Sequence, residues 1–419
     1  MPAPVPFGET ASLGLPVTTP EEAGLSAARL LRIDDHLRRR YVEPGKIAGC
    51  LTVVARDGHV AWASALGHRD AARRLPIAAD TIFRIYSMSK PITSVALMSL
   101  YEEGHFQLDD PVAKLIPAWR DLRVYRGGNH PLWLTEPCAR PMTVRDLLTH
   151  TSGLTYGFLE RTNVDAAYRK LGVGGPAGTL RDMIDQLAEL PLEFSPGTRW
   201  NYSVSTDVLG YLVEVLSGRS FDRFLEERIF APLGMTDTAF AVPDDKADRL
   251  AASYRRAPDK SLELVEAADA SPYRRPRTFF SGGGGLVSTA SDYLRFAQML
   301  LNGGVLDGER VLGPRTLALM TQNHLPGAQD LAALATGAFS ETTYDGTGFG
   351  LGFWVLLDQA RAQSVSSPGE FGWGGMASTV FWVDPAEDLI VLFLTQLTPS
   401  GTFDFRGQLR SIVYGAIVD

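Results

Sequence analysis

Two residues near position 90 have the types and spacing of a nucleophile and its base. Ser87 and Lys90 are three residues apart in YSMSKP (86–91), which brings both side chains to one face of a helix. Proline is tolerated only in a first helical turn, so Pro91 places the helix start near Ser87. Free N–H groups there, with an amine in apolar surroundings, favour nucleophilic attack by the serine. The alternative is the polar first turn of an ordinary helix.

Two other segments supply groups that such a nucleophile needs. Tyr202 follows a Pro-Gly turn in FSPGTRWNYS (194–203), and a tyrosine beside a cationic lysine can act as a general base. Glycines in FGWGGMASTVFWVD (371–384) precede a strand-like run and permit a ligand to approach the backbone closely. Taken alone, Tyr202 is typical of a half-buried core tyrosine and the glycines of a tight bend.

In this order, the three segments resemble the serine β-lactamase and penicillin-binding-protein superfamily. The likeness covers residues 22–415 and is greatest to the esterase branch, the family VIII carboxylesterases, which are similar to class C β-lactamases. It implies that Ser87 is acylated, that Lys90 and Tyr202 share its proton, and that the N–H groups of Ser87 and Met376 form an oxyanion hole. It also assigns substrate binding to Trp373, Gly374 and Gly375.

Departures from the lactamase pattern narrow the expected substrate. The usual Tyr-x-Asn is Tyr202-Ser203-Val204 here, and valine cannot hydrogen-bond the amide of a β-lactam or peptide. The usual Lys-Thr-Gly is replaced by Trp-Gly-Gly, which removes a cation for the substrate carboxylate. We therefore expect a carboxylesterase for neutral, short-chain esters, with weak β-lactam hydrolysis as a side activity and no cofactor or metal. The alternatives are an acyltransferase on this scaffold, or a β-lactamase or D-Ala-D-Ala carboxypeptidase.

Three other motifs give weaker indications of function. The four glycines 282–285 lack a following GK[ST], so a tight turn is favoured over a phosphate loop. Glycines alternate over 346–352, which is typical of a strand crowded by another backbone. No serine lies in GxSxG, but a Ser-His-Asp triad using His150 stays open as a minor alternative.

The elements that must position these residues are β-rich at both ends of the chain and helical between. A turn at Asp57-Gly58 predicts a hairpin over 47–66. Strands are predicted at 348–357, 377–383 and 389–395, and helices at 27–41, 88–103, 143–149, 180–189, 205–217, 220–230, 291–301 and 404–417.

This pattern predicts an α/β (α+β) fold, and the resemblance implies that it is β-lactamase-like. An antiparallel sheet would be built from the N- and C-terminal parts, flanked by helices, with an inserted, mainly helical domain. The predicted domains are residues 1–90 with 275–419, and residues 91–274, with the active site between them.

Composition excludes several classes of protein. The 419 residues carry a formal net charge of −8, which argues against a nucleic-acid surface. Cys50 and Cys138 are too few for a disulfide scaffold and are expected to be unpaired thiols. Residues 1–23 predict a Pro-rich arm without a signal peptide, and no apolar run could span a bilayer. We therefore expect a cytoplasmic protein with a small-molecule ester as its partner; the sequence leaves the oligomeric state open.

Overall fold

The computed structural model describes residues 13–337 and 344–418. The strands, in chain order, are β1 (Gly49–Arg56), β2 (His59–Asp70), β3 (Leu75–Pro76), β4 (Phe83–Arg84), β5 (Arg123–Asn129), β6 (Leu132–Pro137), β7 (Ser253–Arg256), β8 (Leu262–Glu266), β9 (Val287–Ser288), β10 (Val305–Leu306), β11 (Glu309–Arg310), β12 (Thr347–Phe349), β13 (Trp354–Leu356), β14 (Phe371–Gly374), β15 (Val380–Asp384), β16 (Leu389–Thr395) and β17 (Leu397–Thr398). The helices are α1 (Ala27–Leu37), α2 (Ser89–Glu102), α3 (Val144–Leu148), α4 (Asn163–Leu171), α5 (Leu180–Ala188), α6 (Ser205–Ser217), α7 (Phe221–Leu225), α8 (Ala231–Leu233), α9 (Ala290–Leu301), α10 (Pro314–Met320), α11 (Leu331–Leu334), α12 (Gln359–Ala362) and α13 (Phe405–Tyr414).

The main sheet joins the two ends of the chain. Its strand order is β12-β13-β14-β15-β16-β1-β2-β3, and every pairing in it is antiparallel. The central pair, β1 and β16, is buried along its whole length because helices cover both faces, which explains the unbroken run LIVLFLT. The predicted fold class, a sheet from the N- and C-terminal parts flanked by helices, is confirmed.

Helix α2 carries the SxxK lysine through the middle of the molecule. Residues 89–100 are buried on every side, as expected for a helix that packs against other elements all around. Helix α6 packs along it, and α9 packs on β15 and β16. One apolar core runs from the sheet through α2 into the helical layer, so α2 is fixed on all sides.

The structure corrects several element predictions. The single strand predicted at 348–357 is wrong: β12 and β13 form a hairpin with a turn at 350–353. A Cβ on Gly350 would lie 2.2 Å from the Met320 carbonyl oxygen, so the alternating glycines do mark a crowded backbone. The hairpins β5–β6 and β7–β8 interrupt the mainly helical stretch, and their arginines, glycines and glutamates hide the strand pattern. The predicted domain boundaries stay a prediction.

Other expectations concern the N-terminus, the cysteines and membranes. Of the predicted arm, residues 1–12 lie outside the described residues, whereas Leu13, Leu15 and Ala23 are buried against the core. Cys50 and Cys138 are both free thiols, as predicted. Among residues 13–337 and 344–418, no helix has the length and apolar character needed to cross a membrane.

Candidate active site

The turn before α2 presents Ser87 to a cavity. Residues Tyr86–Met88 form a single 3₁₀ turn that leads into the helix, with Pro91 in the first helical turn as predicted. Tyr86 has φ 42°, in the left-handed region that L-residues rarely adopt. Such strain persists only where the surroundings enforce it, and here it turns the chain so that Ser87 reaches the cavity wall.

Ser87, Lys90 and Tyr202 meet, although Tyr202 is 115 residues further along the chain. The Tyr202 hydroxyl donates to Ser87 Oγ at 2.6 Å, and Lys90 Nζ donates to the same oxygen at 3.2 Å. Lys90 Nζ also donates to the Gly283 carbonyl at 2.6 Å and lies 4.4 Å from the centre of the Tyr202 ring. Lys90 and Tyr202 are 2% and 1% exposed, so both side chains are almost completely shielded from bulk solvent. The serine oxygen thus has two proton-transfer groups within hydrogen-bonding distance.

Aromatic rings hold Tyr202 in place. Trp373 lies with its ring centre 5.7 Å from that of Tyr202, and the His150 ring lies at 5.0 Å. Trp373 is fully buried, so its contact with the site runs through Tyr202, and its assignment to substrate binding stays a prediction.

His150 Nδ1 lies 3.1 Å from the hydroxyl of the fully buried Ser203, and burial lowers the pKa of the imidazole well below its usual value. Because neither residue reaches the cavity, the geometry gives no support to a His150 triad.

The two residues predicted to form the oxyanion hole, Ser87 and Met376, lie at the same cavity. Met376 lines the cavity together with Ser87. Among the described residues, neither the Ser87 N–H nor the Met376 N–H donates to another group, so both are available to a ligand. Gly375 lets the two segments meet, since a Cβ there would lie 2.3 Å from the Ile85 carbonyl oxygen. Gly374 ends β14 and pairs with Val380 of β15, and this pairing anchors the turn between the two strands that contains Met376.

Sequence reasoning missed Asp207, a buried carboxylate linked to Lys90. Asp207 Oδ1 accepts from Ser281 Oγ at 2.5 Å and from the Gly283 N–H at 3.0 Å, and the Gly283 carbonyl accepts from Lys90. Burial raises the pKa of Asp207, while the Lys90 charge opposes this rise. A Cβ on Gly283 would lie 2.6 Å from Asp207 Oδ2, so glycine at this position lets the turn approach the carboxylate. That glycine run was the one available signal.

We predict that Asp207→Asn moves the pH profile of the enzyme. The asparagine keeps the shape of the side chain but removes a negative charge that stabilises protonated Lys90. Lys90 then loses its proton at lower pH, so the acidic limb of the kcat/KM profile should shift to lower pH. We expect kcat to fall about tenfold, because the buried network loses its charge. The measurement is kcat/KM as a function of pH for ester hydrolysis.

A matched control is Asp292→Asn, which changes another buried carboxylate away from the cavity. Asp292 accepts from Thr238 Oγ1 and the Asp237 N–H, so its loss reports the general cost of a buried Asp→Asn change. An unchanged acidic limb in Asp207→Asn, or an equal shift in the control, would contradict the role given to Asp207.

The cavity beside Ser87 is large and mostly apolar. Its volume is about 550 Å³, and aromatic rings supply much of its wall: Tyr86, Tyr156, Phe158, Phe240, Tyr273 and Phe279. Burial raises the pKa of Tyr156 well above its usual value, and Asp207 beside it adds to this rise, so this hydroxyl stays protonated. The site can therefore hold an organic molecule of moderate size against a serine nucleophile.

Comparison with known proteins identifies the family to which a chain with this catalytic geometry belongs. The family model described as Beta-lactamase matches residues 35–413. The chain belongs to the beta-lactamase family. Protein Rv1367c of Mycobacterium tuberculosis is 38% identical over 370 residues, which cover 87% of this chain and 90% of that protein. Esterase EstB of Burkholderia gladioli is 32% identical over 415 residues, which cover 94% and 96%.

A solved structure shares the fold of this beta-lactamase family member over nearly its full length. EstCE1, described as a hydrolase with promiscuous acyltransferase activity, has a TM-score of 0.76 and 26% identity, with 95% of this chain and 99% of that chain covered. The resemblance to the family VIII carboxylesterases is confirmed, and the protein is a serine hydrolase with a β-lactamase-like fold.

Proposed function

We propose that the protein hydrolyses carboxylic esters through an acyl-enzyme on Ser87. The observation that carries this proposal is the pair of hydrogen bonds that Ser87 Oγ accepts from Tyr202 and Lys90 at the wall of an apolar cavity. A serine hydroxyl is a weak nucleophile unless a base takes its proton, and two groups stand ready to do so.

In the proposed reaction, Ser87 Oγ attacks the ester carbonyl as its proton passes to the Tyr202 and Lys90 pair. The N–H groups of Ser87 and Met376 stabilise the oxyanion of the tetrahedral intermediate. Collapse of this intermediate breaks the ester bond, and the pair returns the proton to the leaving alcohol. The same pair then takes a proton from water, which attacks the acyl carbonyl and frees the acid and Ser87.

We propose that the reacting ester group is neutral and that the acyl chain is short. Val204, the residue two after Tyr202, is buried and has no polar group to offer, and Trp373-Gly374-Gly375 supplies no cation. A small-molecule ester is therefore the proposed substrate, and weak β-lactam hydrolysis the proposed side activity. We also propose that the protein works in the cytoplasm.

Acyl transfer to an alcohol is a second candidate function. The cavity wall is mostly apolar and aromatic, so an organic alcohol would compete well with water for the acyl-enzyme. EstCE1, which is described as a hydrolase with promiscuous acyltransferase activity, points the same way.

One experiment tests both candidates. Purified protein is incubated with p-nitrophenyl butyrate, with and without a primary alcohol, and p-nitrophenol, free butyrate and the butyrate ester of the added alcohol are measured. We expect release of p-nitrophenol with butyrate as the main product. An excess of the new ester over butyrate would favour the transferase. Turnover of the chromogenic cephalosporin nitrocefin without any ester turnover would contradict the proposal in favour of a β-lactamase.

A further inference from the structure

Arg277 lines the cavity that contains Ser87, and the proton-transfer steps do not use it. It belongs to SPYRRPRTFF (271–280), whose Tyr273 and Phe279 also line this cavity. The Arg277 side chain is half-buried and also borders a neighbouring cavity of about 520 Å³, near Asp222, Glu226 and Glu227. Its charge opposes the rise that burial causes in the pKa of Tyr86, the residue next to Ser87. A cation therefore lies in the substrate space of an otherwise mostly apolar site.

The guanidinium of Arg277 has no acidic partner in the part of the chain that the structure describes. No carboxylate oxygen there lies within 4.0 Å of it, and Arg277 Nε is buried without a hydrogen-bond partner. Its neighbours are paired: Arg274 binds Asp244 at 3.1 Å, and Arg84 binds Glu266. A buried donor of a charged group is costly to leave unsatisfied, so a ligand group that accepts from Arg277 Nε would bind favourably.

The position of Arg277 is fixed by an aromatic ring. Its Cζ lies 4.6 Å from the centre of the Tyr273 ring, within the range of a cation–π contact. Tyr273 in turn is buried and its hydroxyl lies 3.4 Å from the Gly284 carbonyl oxygen, beside the turn that accepts from Lys90. An arginine held on a ring face keeps the edge of its guanidinium for a planar acceptor such as a carboxylate.

We infer that Arg277 binds a carboxylate of the substrate, so that the preferred esters carry a negative charge away from the scissile bond. This inference rests on the proposed esterase function. It is compatible with an uncharged reacting ester group, because Val204 and Trp373-Gly374-Gly375 supply no cation, whereas Arg277 comes from a separate segment that lines the cavity. The anionic group belongs to the far end of either the acyl chain or the alcohol, and the ester group itself stays uncharged.

Two pairs of substrates test the inference. On the acyl side, monoethyl adipate is compared with ethyl hexanoate; on the alcohol side, para-acetoxyphenylacetate is compared with para-cresyl acetate. The readout is the ratio of kcat/KM for the anionic ester to kcat/KM for the neutral one, from titration of the released acid. In one of the pairs, Arg277→Gln should lower this ratio about tenfold, the size expected for a charge-assisted hydrogen bond partly screened by solvent. Arg277→Lys should retain part of the preference.

The matched control is Arg275→Gln, which removes the same charge from an exposed neighbour outside the cavity wall. It should leave both ratios unchanged, which separates binding by Arg277 from a general effect of net charge. Ratios that are equal in the wild type and Arg277→Gln for both pairs, with the neutral esters turned over, overturn the inference and leave the esterase function intact. If the wild type turns over none of the four esters, the proposed function itself is overturned.

Discussion

Replacing Ser87 by alanine is expected to lower kcat for ester hydrolysis by about 10⁴-fold or more, the loss typical of a missing serine nucleophile. Ser87 Oγ is the atom on which the Tyr202 hydroxyl and Lys90 Nζ converge, at 2.6 Å and 3.2 Å. Without that oxygen no acyl-enzyme can form, and only water that enters the site directly could attack the ester. The measurement is kcat for p-nitrophenyl butyrate, together with mass spectrometry after labelling with a serine-reactive phosphonate. The wild type should carry one adduct on Ser87, and the variant none.

Ser89→Ala is the matched control for this variant. Ser89 lies two residues further on and is also buried, but its Oγ accepts from the Leu286 N–H at 3.1 Å and does not line the cavity. We expect it to cost stability, about 1 kcal/mol for one neutral hydrogen bond, and to retain labelling on Ser87. If Ser87→Ala kept more than about a hundredth of wild-type turnover, or if the phosphonate labelled another serine, the nucleophile would be elsewhere.

The sequence alone predicts only those contacts of the catalytic centre that join residues close together in the chain. Ser87 and Lys90 share one turn, so their spacing and Pro91 suffice to bring them together. Tyr202 is far along the chain, and only the order of segments in a known superfamily linked it to them. Asp207 could not be found in this way, because its link to Lys90 depends on how the 282–285 turn packs against α6.

The same limit explains which elements of the fold were predictable. The hairpin at Asp57-Gly58 and the strand β16 follow from local signals, a turn dipeptide and an unbroken apolar run. In contrast, β5 is exposed along most of its length and contains two glycines, so its sequence has no apolar alternation to show. The turn that divides 348–357 is imposed by neighbours, since a Cβ on Gly352 would lie 2.3 Å from Ser94 Oγ. Such contacts belong to the folded chain and leave no pattern within the segment.

Replacing Tyr202 by phenylalanine is expected to lower kcat about 10³-fold, within the range for loss of a general acid–base group. The change removes the hydroxyl that donates to Ser87 Oγ but keeps the ring that packs on Trp373 and His150. Lys90 still reaches Ser87 Oγ, so the variant measures how much of the proton transfer the lysine can perform without the tyrosine. The measurement is pre-steady-state release of p-nitrophenol, which separates formation of the acyl-enzyme from its hydrolysis. Both steps should slow, because the proposed pair handles the proton in each.

The control for Tyr202→Phe is Tyr168→Phe, another fully buried tyrosine that does not line the cavity. Its hydroxyl lies near the Thr155 backbone, so its loss reports the cost of removing a buried hydroxyl without touching Ser87. If Tyr202→Phe kept more than about a tenth of wild-type kcat, Lys90 alone would be the working base and Tyr202 would only position it. If Tyr202→Phe formed the acyl-enzyme at the normal rate but failed to hydrolyse it, the pair would not act together in both steps. Lys90 would then serve acylation, and Tyr202 would activate the water.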